Sequence, residues 1–465
     1  MRSGRRPVSS RAASVILNLT TFRQELRPML RLAAPLVMAE LGWMGMGVVD
    51  TMMVGRVSAR AIGAVSLGSV LFYAVAMFGS GLMLGLDTLV SQAFGAENVV
   101  DCHRSLVNAV YFSLPLAPAL MLIVTFWIPL LGWFGINPAI LRETVPYLRA
   151  IMWSTFPLIL FFALRRYLQG MNRAAPIMFA LITANLVNIA GNWILVYGNL
   201  GAPAMGAEGS GWATCTSRVY LAAVLAVYAL YQGRENGLLR APLRPDLERI
   251  RRLIALGFPA ASQLTVEIGV FAAATAIIGT LDAPSLAAHQ IAINTATFTY
   301  MVPLGVSSAA AVRVGQALGR GDRMAAGRAG WTALALGAGF MAAAGVALVM
   351  FPEYIARVFT TDKVVIRTAI ALLSVVAMFQ LFDGIQAVVT GTLRGAGDTR
   401  TPMLCHMLFY WLIGLPLGCL LCFRFHSGVV GLWIGLSVAL ILIGCALLAV
   451  WIRKVKIMNA QTAAV

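Results

Sequence analysis

Residues Leu253–Gly279 read LIALGFPAASQLTVEIGVFAAATAIIG, and Glu267 is the only charged residue among them. A helix needs about 20 predominantly apolar residues to cross a bilayer, so this stretch is a complete span. A carboxylate inside such a span costs roughly 2.5–3.5 kcal/mol on insertion scales, and chains keep one there chiefly for ion, proton or substrate traffic. Glu40, Asp50 and Asp383 share the situation, in a chain of which only 11% is charged. Four such residues suggest a cation pathway and make a transporter the first expectation.

The rest of the chain is of the same kind. It has 465 residues, 60% of them hydrophobic, and a mean hydropathy of +0.83, values that describe a polytopic membrane protein. About twelve segments have the length and apolarity of a span. They are Leu32–Val54, Ser66–Phe94, Ser105–Leu131, Val145–Leu168, Pro176–Tyr197, Gly211–Tyr231, Leu253–Gly279, Leu286–Val312, Ala329–Phe351, Thr368–Leu393, Pro402–Phe423 and Val429–Ile452. They are too long and too aliphatic for the alternating pattern of a membrane barrel. The expected fold is all-α, with twelve transmembrane helices.

The net charge of +17 invites a nucleic-acid reading, but its distribution argues against one. With the N-terminus inside, 26 of the 35 Lys and Arg fall in internal loops and tails, eight fall in external loops, and Arg218 lies within a span. That bias obeys the positive-inside rule and places both termini in the cytoplasm. The Arg-rich first thirty residues contain no apolar core ending in a small-residue cleavage site, so no cleaved signal peptide is expected. A tail resting on anionic headgroups accounts for them. The six cysteines lie mostly within spans, where they act as small apolar residues, and His103, His289, His406 and His426 are too scattered to suggest a metal site.

The chain also repeats itself. A shift of 224 positions aligns Pro35 with Pro259, Gly55 with Gly279, Gly81 with Gly305, Gln92 with Gln316, Ala93 with Ala317 and Gly95 with Gly319. Later the shift drifts to 222, pairing Gly206 with Gly428 and Gly209 with Gly431. This predicts two six-helix bundles joined by the Arg-rich segment 232–252. Six is even, so both halves enter from the same face and are related by a pseudo-twofold along the membrane normal. Such halves can rock about a central cavity. The expected divisions are a basic tail at 1–31, an N-lobe at 32–231, the linker at 232–252, a C-lobe at 253–453 and a second tail at 454–465.

No G-x-x-x-x-G-K-[ST] occurs, which excludes ATP hydrolysis by this polypeptide, and neither G-x-S-x-G nor H-E-x-x-H is present. An ion gradient is the remaining energy source, and the intramembrane acids are the natural couplers. Burial penalises the charged form of a carboxyl, so Na⁺ or a proton can compete with a cationic substrate for one site. Gln263 lies one turn before Glu267, Asp383 and Gln386 are three apart, Gln290 and Asn294 are four apart, and Tyr300 follows on the same helix. These polar groups either line the pathway or simply bond between helices. In the first half Asp50 is the counterpart, with Asn188 and Asn192 one turn apart elsewhere; Arg56 is its alternative partner. Glu40 lies nearer the cytoplasmic end and is open to a solvated reading. Asp87 reads as structural, capping its helix or pairing with Arg104.

Residues 49–56, Val-Asp-Thr-Met-Met-Val-Gly-Arg, resemble the first-helix signature of the multidrug and toxic compound extrusion (MATE) family. Residues 286–294, Leu-Ala-Ala-His-Gln-Ile-Ala-Ile-Asn, resemble its eighth-helix signature. Residues 393–402, Leu-Arg-Gly-Ala-Gly-Asp-Thr-Arg-Thr-Pro, are similar to its tenth-to-eleventh loop, and Arg313-Val314-Gly315-Gln316 follows the same pattern. The resemblance covers the chain from about residue 28 onward. It implies a V-shaped antiporter of the bacterial inner membrane that exports cationic or amphipathic drugs in exchange for Na⁺ or H⁺.

On the NorM-type pattern, the first-, seventh- and tenth-helix acids fall on Asp50, Glu267 and Asp383, the implied Na⁺ ligands. Tyr300 matches the C-lobe cation site, and Asn188, Asn192 and Thr214 match the N-lobe one. Glu40 stands where a glutamine is expected, which leaves the coupling ion open. The resemblance implies no cofactor and no enzymatic activity. A monomer in the bilayer is expected, with small-molecule substrates and no nucleic-acid partner. A flippase for lipid-linked precursors is the alternative within the same superfamily, and it would be expected to have a basic central cavity.

Overall fold

The computed structural model describes residues 19–134, 138–236 and 244–463, and every regular element among them is helical. The basic tail up to residue 18 and the middle of the expected linker lie outside the described residues. The first half contains α1 (Leu19–Gly55), α2 (Ala59–Leu82), α3 (Gly85–Gly95), α4 (Val99–Leu130), α5 (Pro138–Met152), α6 (Thr155–Gly170), α7 (Ala175–Leu195) and α8 (Ala207–Asn236). The second contains α9 (Leu247–Ile278), α10 (Ala283–Gly319), α11 (Arg323–Met350), the short α12 (Pro352–Phe359), α13 (Lys363–Gly395), α14 (Arg400–Arg424) and α15 (Gly428–Ala463).

These elements make the twelve expected crossings, with irregularities that hydropathy does not reveal. Among the described residues ten helical stretches are long and apolar enough to span, and the pair α5 and α6, bent by 47°, makes an eleventh. The twelfth is α10, whose 37 residues reach about 55 Å although its Ala-, Ser- and Thr-rich sequence is less apolar. The second expected span is really two helices, α2 and α3, broken at Met83 and Leu84. The eleventh passes through π-helical turns at Met407–Gly414 and Leu420–Arg424; such turns often mark functional helices.

The repeat is visible in backbone detail beyond the identical residues. Ser58 caps α2 and Asp282 caps α10, each accepting from a backbone N–H three residues on. Asn98 caps α4 and Asp322 caps α11 in the same way. Both pairs are 224 apart, and each satisfies an N–H that helix geometry leaves without a partner. Left-handed turn residues recur as well: Glu97 (φ 58°) matches Gly321 (φ 78°), and Asn172 (φ 60°) matches Gly397 (φ 80°). The fold needs the conformation there and tolerates a non-glycine in one copy.

The two halves meet in contacts that are twofold images of one another. Gly81 packs on Ala261 and Gly305 on Val37; Gly95 packs on the backbone of Gln316 and Gly319 on that of Gln92. Gln92 Nε2 donates to the Gly395 carbonyl at 3.1 Å, and Gln316 Nε2 donates to the Gly170 carbonyl at 2.8 Å. This is an isologous interface within one chain. Polar contacts between the halves cluster at the Arg-rich ends of the helices: Arg313 with Glu25, Arg249 with Asp101, Arg394 with Asp87, and Arg166 with Ser308. Toward the opposite ends the same central helices expose Val48, Met52, Ile268 and Phe298.

A Cβ at Gly95 or Gly319 would overlap a backbone carbonyl of the other half, and no side-chain rotation relieves a backbone clash. Gly95→Val and Gly319→Val are therefore each expected to part the Arg-rich ends. A lowered yield of disulfide crosslinks between cysteines placed at Glu97 and Arg320 would report it, and an unchanged yield would refute it.

Between α13 and α14, burial works against the ionised form of Asp398. Lys454 Nζ at 3.2 Å and the Thr401 backbone and hydroxyl outweigh it and hold the carboxyl below its ordinary value. A depressed folded-state value adds stability above the unfolded value near 3.9 and loses it as pH falls through the folded one. Asp398→Asn should thus destabilise the protein at neutral pH, by under about 1 kcal/mol for so accessible a pair, seen as a lowered melting temperature, and make no difference in strong acid.

Candidate functional site

In the second half, α9, α13 and α14 converge on a cluster of polar groups. Glu267 and Gln263 share one face of α9, one turn apart, and Asp383 and Gln386 share a face of α13. Gln386 Nε2 bridges the acids, donating to Asp383 Oδ1 at 3.1 Å and Glu267 Oε1 at 3.4 Å. Gln263 Nε2 donates to Glu267 Oε2 at 3.2 Å. Asp383, Gln386 and Gln263 are buried, and the Glu267 side chain is 13% exposed. Tyr300 lies against Gln386 within electrostatic reach of both acids. Among the described residues no Lys or Arg forms an ion pair with Glu267 or Asp383.

His406 completes the cluster, and sequence reasoning missed it. Its Nε2 lies 2.9 Å from Gln386 Oε1 and 3.7 Å from Glu267 Oε2, and its Nδ1 lies 2.7 Å from the Pro402 carbonyl. Looking only for metal-ligand spacing dismissed it. Its place one turn after Pro402 on a span, with a side chain that must find polar partners when buried, was the available signal.

The first half builds a different site from α1, α7 and α8. Asp50 Oδ1 accepts from Asn188 Nδ2 at 3.0 Å and Asn192 Nδ2 at 2.7 Å, and Oδ2 accepts from Thr214 Oγ1 at 2.7 Å. All four residues are buried. Asp50 is thus not held by Arg56, which is exposed at the end of α1.

Glu40 is not solvated: it is 6% exposed and paired with the buried Arg165. A carboxylate neutralised in this way has no charge left for a free cation. Asp87 pairs with Arg166 at 3.4 Å and Arg394 at 2.9 Å, not with Arg104. Its position at the start of α3, facing the other half, brings a guanidinium from each side. Gln290 and Asn294 are exposed on α10 and bond to neither acid, so they stand apart from the cluster.

The two sites are not repeat images. In the 224 register Glu267 corresponds to Trp43, and Gln386, one position adrift, corresponds to Phe161. Those rings stack at 6.0 Å with planes 3° apart. Where the second half carries an acid and the amide that bridges it to Asp383, the first carries an aromatic stack.

The MatE family model matches residues 35–194 and 259–420, two blocks whose starts lie 224 residues apart. A protein of Mesorhizobium japonicum named "Probable multidrug resistance protein NorM" is 36% identical over 94% of this chain and 95% of its own length. The "Multidrug resistance protein NorM" of Aliivibrio fischeri is 31% identical over 93% of this chain and 96% of its own. Among solved structures, the eukaryotic MATE transporter AtDTX14 superposes with a TM-score of 0.86 at 21% identity, covering 95% of this chain and 99% of that one. An outward-facing multidrug resistance MATE family transporter gives 0.83 at 16% identity over 93% and 96%. At these identities the structures speak for the two-lobed helical fold alone. The family match and the relatives carry the further step: the chain belongs to the multidrug and toxic compound extrusion (MATE) family, and so among multidrug-efflux transporters rather than enzymes.

Proposed function

We propose that the chain is an antiporter of the bacterial inner membrane that exports cationic and amphipathic organic compounds in exchange for Na⁺ or H⁺. The observation that carries this reading is the pair Glu267 and Asp383, bridged by Gln386, with no Lys or Arg among the described residues paired to either. Two acids gathered in a low-dielectric site repel one another and are costly to leave charged. They are relieved by a cation or a proton, and carboxylate, amide carbonyl and phenol oxygens are suitable ligands for a hard ion. Tyr300 and Gln263 complete that set. Arrival of the coupling ion removes the negative field that retains a cationic substrate, which links the two fluxes.

Both termini lie in the cytoplasm on this reading, so the joined, Arg-rich ends face inward and the opposite ends of the two halves face outward. Rocking of residues 32–231 against 253–453 about the linker 232–252 reverses access. Gln290 and Asn294, exposed on α10, serve substrate contact rather than ion binding. The chain acts as a monomer and needs no cofactor.

Ethidium efflux from vesicles containing the purified protein, with Na⁺ and proton gradients imposed separately, tests the reading. Efflux under one gradient and not the other supports antiport and names the ion. Absence of efflux under either gradient, with transfer of a labelled lipid-linked precursor instead, would replace it with lipid flipping.

A further inference from the structure

Arg218 sits in the middle of α8, fully buried, within a segment long and apolar enough to span the membrane. Its guanidinium donates to Ser154 Oγ at 2.6 Å and Tyr73 Oη at 2.7 Å, and lies 4.9, 5.3 and 6.0 Å from the ring centres of Phe72, Tyr73 and Trp43. These partners are all neutral, its Nε has no hydrogen-bond partner, and among the described residues no acid forms an ion pair with it. Aromatic faces and hydroxyls soften a buried charge but do not cancel it.

This half buries three acids, of which Asp87 is taken by Arg166 and Arg394. Glu40 is taken by Arg165. Asp50 remains: Thr214, which donates to it, is one turn before Arg218 on the same face of α8, and Trp43, whose ring centre lies 6.0 Å from the Arg218 guanidinium, is two turns before Asp50 on α1. Among the described residues no Lys or Arg lies within ion-pair distance of Asp50, so its charge too is left without a close partner.

We propose that Arg218 is the built-in counter-ion of Asp50, so that the Asp50, Asn188, Asn192 and Thr214 pocket is electrically closed and takes up no free Na⁺. The tethered guanidinium stands in for the inorganic cation. Arg218 is then the residue that decides which lobe can bind the coupling ion, and ion uptake belongs to the other lobe alone. The charge pairing stands whether or not the chain proves to be a drug antiporter.

The test compares Asp50→Asn, Arg218→Gln and the double variant by thermal unfolding in detergent, each with and without NaCl against choline chloride. All are made in a Glu267→Gln background, which silences the other lobe. Each single change should lower the melting temperature by several degrees, and the double variant should recover most of that loss, because it buries no net charge. Arg218→Gln should also gain a Na⁺-dependent upward shift that the double variant lacks. Strictly additive losses with no Na⁺ response in Arg218→Gln would overturn the pairing and leave Arg218 as an aromatic anchor only. A Na⁺ shift already present with Arg218 intact, and lost in Asp50→Asn, would overturn it too. Should the Gln variant fail to fold, Arg218→Lys keeps the charge without the fork and should retain the wild-type indifference to Na⁺.

Discussion

Glu267→Gln is expected to abolish gradient-driven export of ethidium while leaving the protein folded in the bilayer. The substitution removes one of two acids that share the Gln386 amide and keeps the side chain's size and its capacity to bond with Gln263. What disappears is the second negative charge, and with it the competition between the coupling ion and a cationic substrate. A fall in coupled efflux of roughly two orders of magnitude corresponds to about 2.7 kcal/mol, which is reasonable for a buried site losing its counter-charge. Asp383→Asn should act in the same direction, since Asp383 holds the opposite end of the bridge. Ethidium binding measured without a gradient should weaken less than transport, because aromatic and apolar contacts remain. Normal export by the Glu267→Gln protein would remove the proposed coupling site altogether.

Asp87→Asn is expected to have the largest effect on the joint between the halves. Asp87 is fully buried and is the shared anion of Arg166 from its own half and Arg394 from the other. Thr88, the next residue, donates to the Arg394 carbonyl, so side chain and backbone clamp the same point. Removing one partner of a buried ion pair costs about 3–5 kcal/mol, because the other charges stay buried and unpaired. Here two guanidiniums would then face one another. Spin labels at Glu97 and Arg320, both exposed beside the joint, should report a longer and broader distance distribution than in the parent protein, with a lower melting temperature. A distribution identical to the parent's would show that the glycine and glutamine contacts hold the ends together without the clamp.

Much of this architecture is legible in the sequence, because a bilayer imposes length and apolarity on every crossing. The repeat was legible wherever it keeps the residue, as in Gln92 and Gln316. It was hidden where only the conformation is kept, as in Glu97 and Gly321 or Ser58 and Asp282, since different side chains satisfy the same turn or cap. Asp383 and Gln386, or Gln263 and Glu267, were readable as neighbours because one helical turn separates them. That Gln386 would bridge both acids, or that Asp87 would meet Arg394, depends on packing between spans far apart in the chain, which periodicity does not encode. The same reason hid Arg218 and His406: each appeared alone on its own span, and its meaning lies in residues contributed by others. Gln290 and Asn294 were readable as one face of α10, but period alone does not say which neighbour a face meets, and that face is exposed.

If the halves rock as proposed, the symmetric handshake at the Arg-rich ends makes them a pair of tongs. The pivot lies at one end of helices about 45 Å long, so a rotation of only ~10° there swings the far tips by roughly 8 Å at that helix rise. Little has to break at the pivot for the mouth to widen by the size of an aromatic ring system. Because the gripping contacts come in twofold pairs, the two arms carry equal loads, and wear on either copy of the Gln and Gly pair loosens the same hinge.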